Sequence, residues 1–171
     1  MNIEFIPLTD ENIKEFVRCA KTIVCTEPKE MKSENGYFRQ SLSLHSVKND
    51  YQFKVFLRQN ETFRENFSVG LIYCPVNFNQ IHLFRCNGKH NTKSFANEHY
   101  HIEYHCHWQS EKGIVDGKLS KPDKIIISDK YSTFKEAVAH FMQECNITNA
   151  EEYFGESLEQ SLFDVFEREE K

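Results

Sequence analysis

The chain has 171 residues, 39% apolar and 13% aromatic, with a formal net charge of −5. That length suits a single domain with a substantial core, to which 15 Phe and 7 Tyr bring much of the bulk. No run approaches the ~18 apolar residues of a membrane helix, and Met1-Asn2-Ile3-Glu4 does not begin a signal pattern, so a soluble, cytoplasmic protein without membrane contact is expected.

The charge is unevenly spread. Residues 149–171 hold eight acids against Arg168 and Lys171, a balance of −6, which leaves the rest of the chain at +1. The six cysteines are scattered without a C-x-x-C pair. They read as small apolar residues, with neither a disulfide framework nor a zinc site of cysteine pairs expected.

Thr9 is placed to cap a helix in which Ile13, Phe16, Val17, Ala20, Ile23 and Val24 recur at helical spacing, ending before Pro28. A charged loop over 27–36 follows. Alternating runs at 38–45, 51–58, 67–74 and 80–86, joined by short polar connections, predict an antiparallel meander. A polar loop over 87–97 leads to a fifth strand at 99–108. Residues 109–123 read as loop and 124–128 as a sixth strand. Thr133 and Glu136 form a capping box before Phe134, Ala137, Val138, Phe141, Met142 and Cys145, an amphipathic helix. After a break at 146–148, Leu158, Leu162 and Phe166 mark a terminal helix that Ser157 and Gln160 can cap. The fold class is therefore α+β: one domain over 1–171, with an antiparallel sheet of five to six strands packed against an N-terminal helix and C-terminal helices, and an acidic helical tail at 149–171.

Within 99–108, strand alternation puts Tyr100, Ile102, Tyr104, Cys106 and Trp108 on a core face and His99, His101, Glu103, His105 and His107 on the other. A solvated sheet face shows similar alternation, but four histidines at outward positions favour a site. Two imidazoles at i and i+2 can share a metal, with His90 or His82 completing the set, although a run of about 26 Å cannot serve one ion. Histidine also works as general acid or base without a metal, while Arg85 and Lys89 hold phosphate oxygens. Cys106 reads as core, His45 and His82 as ordinary strand residues, and His140 as part of a helix face.

The pattern Leu83-x-Arg85-x-Asn87-Gly88-Lys89-His90, then Phe95, then His99-x-His101-Ile102, resembles a small bacterial family met near mobile elements. More distantly it is similar to the TumE-like toxins of toxin–antitoxin modules. The likeness runs over roughly residues 40–145 and matches Arg85, Asn87, His90, His99 and His101 to that family's polar positions. Glu103 stands where a further histidine is expected. The leading expectation, from these residues together with the likeness to the toxins, is a toxin-like, metal-independent ribonuclease with a cognate antitoxin or host protein complex and RNA as partners and no cofactor. His101 is then the principal acid or base, His90 or His99 its complement, and Arg85 the transition-state contact, while Lys89, Asn87, His105 and His107 bind substrate. The alternative is a non-enzymatic phage or mobile-element inhibitor of anti-CRISPR or anti-defence type, its acidic tail engaging a host nucleic-acid-binding complex. A metal-binding module is a third possibility.

Overall fold

Period-two alternation from residue 37 onward builds the frame of the molecule. The structure is a computed structural model that describes residues 8–24, 30–90 and 102–155. The elements run α1 (Asp10–Arg18), β1 (Lys21–Ile23), β2 (Lys32–Glu34), β3 (Tyr37–Ser46), β4 (Gln52–Asn60), β5 (Phe67–Tyr73), β6 (Ile81–Asn87), β7 (His105–Trp108), α2 (Glu111–Val115), β8 (Lys124–Ile127), α3 (Phe134–Glu144) and α4 (Ala150–Phe154). The strands form one antiparallel sheet in the order β1-β3-β4-β5-β6-β7-β8, with β2 also paired to β3. This is the α+β class expected from the sequence, with eight strands among the described residues where five to six were expected.

Helices α1 and α3 cover one face of the sheet. Phe16 of α1 meets Tyr51 edge-on and stacks on Tyr73, with ring centroids 4.8 Å apart in both pairs. Phe141 of α3 stacks on Phe84 at 5.8 Å, and Phe134 meets Phe67 at 5.5 Å. Below them Leu42, Leu44, Phe53, Val55, Leu57, Val69 and Leu71 are all buried at alternate strand positions. Each such side chain contributes roughly 1.5–3 kcal/mol by leaving water. Among the described residues no helix is long and apolar enough to cross a membrane.

Several local expectations are corrected. The first helix stops at Arg18, and Ile23 lies in a strand rather than in that helix. The β-branched pair Thr22-Ile23 instead pairs with His45 and Leu44 at the sheet edge. Lys21 makes that break possible. Its buried Nζ donates to the carbonyls of Val17 and Cys19 (both 2.8 Å) and Cys145 (3.2 Å), joining the C-terminal ends of α1 and α3. Within the expected loop at 27–36, Asn35-Gly36 takes φ of 52° and 80° and closes a two-residue turn between β2 and β3. The expected loop at 109–123 holds α2, capped by Ser110 Oγ accepting from Gly113 N at 2.9 Å. Thr133 caps α3 as expected, but Glu136 reaches back one residue further, its Oε2 accepting from Ser132 N at 2.7 Å. The fifth strand is short. Among the described residues of that stretch only His105–Trp108 pair as a strand, and Ile102 and Glu103 lie outside it. Beyond residue 155 the expected tail helix lies outside the described residues.

Replacing Lys21 by Met strands three carbonyl oxygens in the core. Urea unfolding is expected to show Lys21→Met less stable by roughly 2–4 kcal/mol, and an unchanged midpoint would show that these carbonyls find other donors.

Candidate functional site

The sheet face opposite α1 and α3 is built by register. One cross-strand line reads Ser41, Phe56, Gly70, Arg85, His107, and the next reads Arg39, Arg58, Ser68, Asn87, His105. Outward positions on β3 to β7 carry no Asp or Glu. One irregularity completes the set. Leu71 pairs with Phe84 but Ile72 pairs with His82, so Leu83 is an extra residue on β6. This β-bulge keeps Leu83 and Phe84 buried and turns His82 to the outer face beside Arg85.

Between these residues lies a concavity of about 330 Å³, lined by Arg39, Phe56, Arg58, Ile72, His82 and Arg85 among others. Gly70 makes room for one wall, since a Cβ there would fall 2.2 Å from Cε1 of Phe56. The Phe56 ring in turn lies 5.7 Å from the His82 ring. Cations are crowded along the rim. Arg39 stands directly opposite Arg58 on one side and Lys32 on the other. Among the described residues neither Arg39 nor Arg58 pairs with a carboxylate. Both guanidiniums lie over the Tyr37 ring, at 5.4 and 4.9 Å, and Arg58 Nε is buried without a hydrogen-bond acceptor. Like charges directly opposite each other are unfavourable, and the ring relieves only part of that repulsion. His82 is held below the usual histidine range by burial and by Arg85, so its imidazole is neutral at pH 7.

The expected histidine row is partly present. The rings of His90 and His105 lie 5.5 Å apart, and those of His105 and His107 lie 5.0 Å apart. His105 Nδ1 donates to Glu103 O at 2.8 Å and His107 Nδ1 to Pro122 O at 3.1 Å. Asn87 Nδ2 donates to His105 Nε2 at 3.4 Å. His105 and His107 lie on the face opposite Cys106, as alternation places them, and both are buried. Arg85 lines the concavity. Lys89 points elsewhere, its Nζ 3.7 Å from Glu65 and 5.0 Å from the Tyr104 ring. His99 and His101 lie outside the described residues. Sequence reasoning passed over Arg39 and Arg58, and took His82 for an ordinary strand residue or a completing metal ligand. Alternation along 37–45 and 51–58 held a signal for the first two, whereas strict alternation assigns His82 to the same side as Phe84.

Comparison of the chain with protein-family models, curated proteins and solved structures returned no match.

The lowered His82 value has a pH consequence with a definite sign. As pH falls below 6.5 the unfolded chain takes up this proton before the folded one does, so His82 subtracts stability from pH 6.5 down through its folded value. Unfolding measured across that range is expected to show a shallower acid decline in His82→Gln than in wild type. Parallel declines would mean that the imidazole titrates normally in the fold.

Proposed function

We propose that the protein binds RNA along this outer face and cleaves it without a metal, as a toxin-like ribonuclease. The observation that carries the reading is the line Lys32, Arg39, Arg58 beside Arg85, set around a concavity with no facing carboxylate on β3 to β7. A polyanion supplies the countercharge that Arg39 and Arg58 lack among the described residues, and guanidiniums suit phosphate oxygens by their forked geometry. RNA is favoured because its 2′-hydroxyl provides an internal nucleophile. Neutral His82 accepts the hydroxyl proton as the 2′ oxygen attacks phosphorus, and Arg85 offsets the charge that develops on the phosphoryl oxygens. The 5′ oxygen leaves with a proton from a general acid. His101, outside the described residues, keeps that role from the sequence reading.

Fluorescent single-stranded RNA titrated at several salt concentrations tests the binding. Arg39→Gln and Arg58→Gln are each expected to weaken affinity and to reduce the log–log salt slope by about 0.7. His82→Gln is expected to bind normally while losing about 10²-fold or more in cleavage rate, and wild-type products are expected to end in 2′,3′-cyclic phosphate in the presence of EDTA. Undiminished cleavage by His82→Gln would remove it as the base, and no RNA binding at low salt would remove the whole reading.

A second reading, an inhibitor docking on a host complex, is favoured by β8. Ile125, Ile126 and Ile127 of this edge strand are 37%, 56% and 62% exposed, and an apolar edge accepts a strand from a partner. Capture from a bacterial lysate that disappears with Ile127→Lys would support that reading, and equal capture by the variant would exclude β8 as the contact.

A further inference from the structure

A second cluster lies on the opposite side of the sheet, under α3. Cys86 on β6 and Cys106 on β7 are direct register partners, and their sulfurs are 3.7 Å apart in the buried layer. His140 of α3 faces them. The two sulfurs and an imidazole nitrogen of His140 all lie within 4.8 Å of one another. Tyr131 closes another side, with its hydroxyl 3.7 Å from Cys106 Sγ. That hydroxyl already donates to His105 O at 2.8 Å and Asn87 O at 3.0 Å, so it is held as a wall. The Cys106 thiol is pulled down to about 5, by the Cys86 thiol first and then by His140 and Tyr131, while burial pushes Cys86 up.

We propose that Cys86, Cys106 and His140 form a binding site for a thiophilic divalent cation, zinc in particular. The spacing supports this directly. Two zinc–sulfur bonds of about 2.3 Å at the tetrahedral angle separate the sulfurs by about 3.8 Å, close to the separation present before any metal arrives. A small adjustment of the half-buried His140 ring brings the nitrogen to ligand distance. Charge supports it as well, since two thiolates and one Zn²⁺ sum to zero, and a neutral unit is far cheaper to keep in a buried layer than a lone thiolate. Three protein ligands leave a fourth position for water or another small ligand, an arrangement that zinc takes where it polarises bound water. The two thiols are twenty residues apart in sequence and lack any C-x-x-C spacing. They meet only because β6 and β7 pair in this register.

The test uses the full chain purified without a histidine tag, reduced and stripped with a chelator. Titration with Co²⁺ is expected to give an intense thiolate-to-metal charge-transfer band and tetrahedral d–d transitions at one equivalent. Zn²⁺ is expected to bleach both, and its affinity is read by competition with a chromophoric chelator. Cys86→Ser and Cys106→Ser should abolish the charge-transfer band or halve it. His140→Gln, a milder change on a half-buried helix position, should weaken zinc binding by at least ~10-fold, the loss that even an outer-shell partner can cause. Cys74→Ser, remote from the cluster, should bind as wild type. The proposal is overturned if Co²⁺ binds without thiolate bands or if His140→Gln binds zinc unchanged. It is also overturned if the reduced wild type takes up no metal while non-reduced protein carries a Cys86–Cys106 disulfide, which would make the pair a redox couple instead. None of these readings depends on RNA binding or cleavage, so the two proposals succeed or fail separately.

Discussion

One extra residue in β6 decides what the outer face of this sheet can do. Strands β5 and β6 keep regular register up to Leu71 and Phe84, then resume one residue out of step at Ile72 and His82. Because a pleated strand alternates with period two, that insertion exchanges the faces of everything on its far side. Leu83 and Phe84 both stay in the core, Ile81 returns to it opposite Tyr73, and His82 emerges beside Arg85. Without the bulge an imidazole would be forced under α1 and α3, and the concavity would lose the one titratable group facing its arginines that is shifted toward neutrality.

The cation line makes sense only against its cost. Lys32, Arg39 and Arg58 occupy consecutive cross-strand positions, where each added like charge raises the energy of the folded sheet. Tyr37 shields two of them with its ring. Structural charges of this kind are normally matched by a carboxylate on the next strand, yet the outward positions of β3 to β7 hold none. A surface that tolerates this repulsion is poised to gain when an anion arrives, a common bargain between stability and function.

The two faces of the sheet carry different chemistries a single strand-thickness apart. Imidazole and guanidinium groups line the outer side, and sulfur with His140 lies on the helix side. Tyr131 connects them. Its hydroxyl donates to the backbone carbonyls of Asn87 and His105 while standing against Cys106, so one side chain touches both the sulfur cluster and the strand ends that carry His105. The backbone that carries the buried Asn87 and His105 side chains is therefore held from the helix side by Tyr131.

Local patterning in the sequence was enough to determine the α+β class, the meander of long strands, and the Thr9 and Thr133 helix starts. Each rests on neighbours a few positions apart, where periodicity and capping chemistry act. The short elements were not legible in the same way. Strand β1 begins at Lys21, whose Nζ binds the neighbouring carbonyls of Val17 and Cys19 together with that of Cys145, which only tertiary packing brings there, and β7 has four residues although alternation alone extends it to ten. The outer site and the sulfur cluster likewise depend on register. Arg39 meets Arg58, His82 meets Arg85 and Cys86 meets Cys106 through strand pairing and one bulge. Hydrogen bonding between distant strands sets those meetings, and no spacing within the chain encodes them.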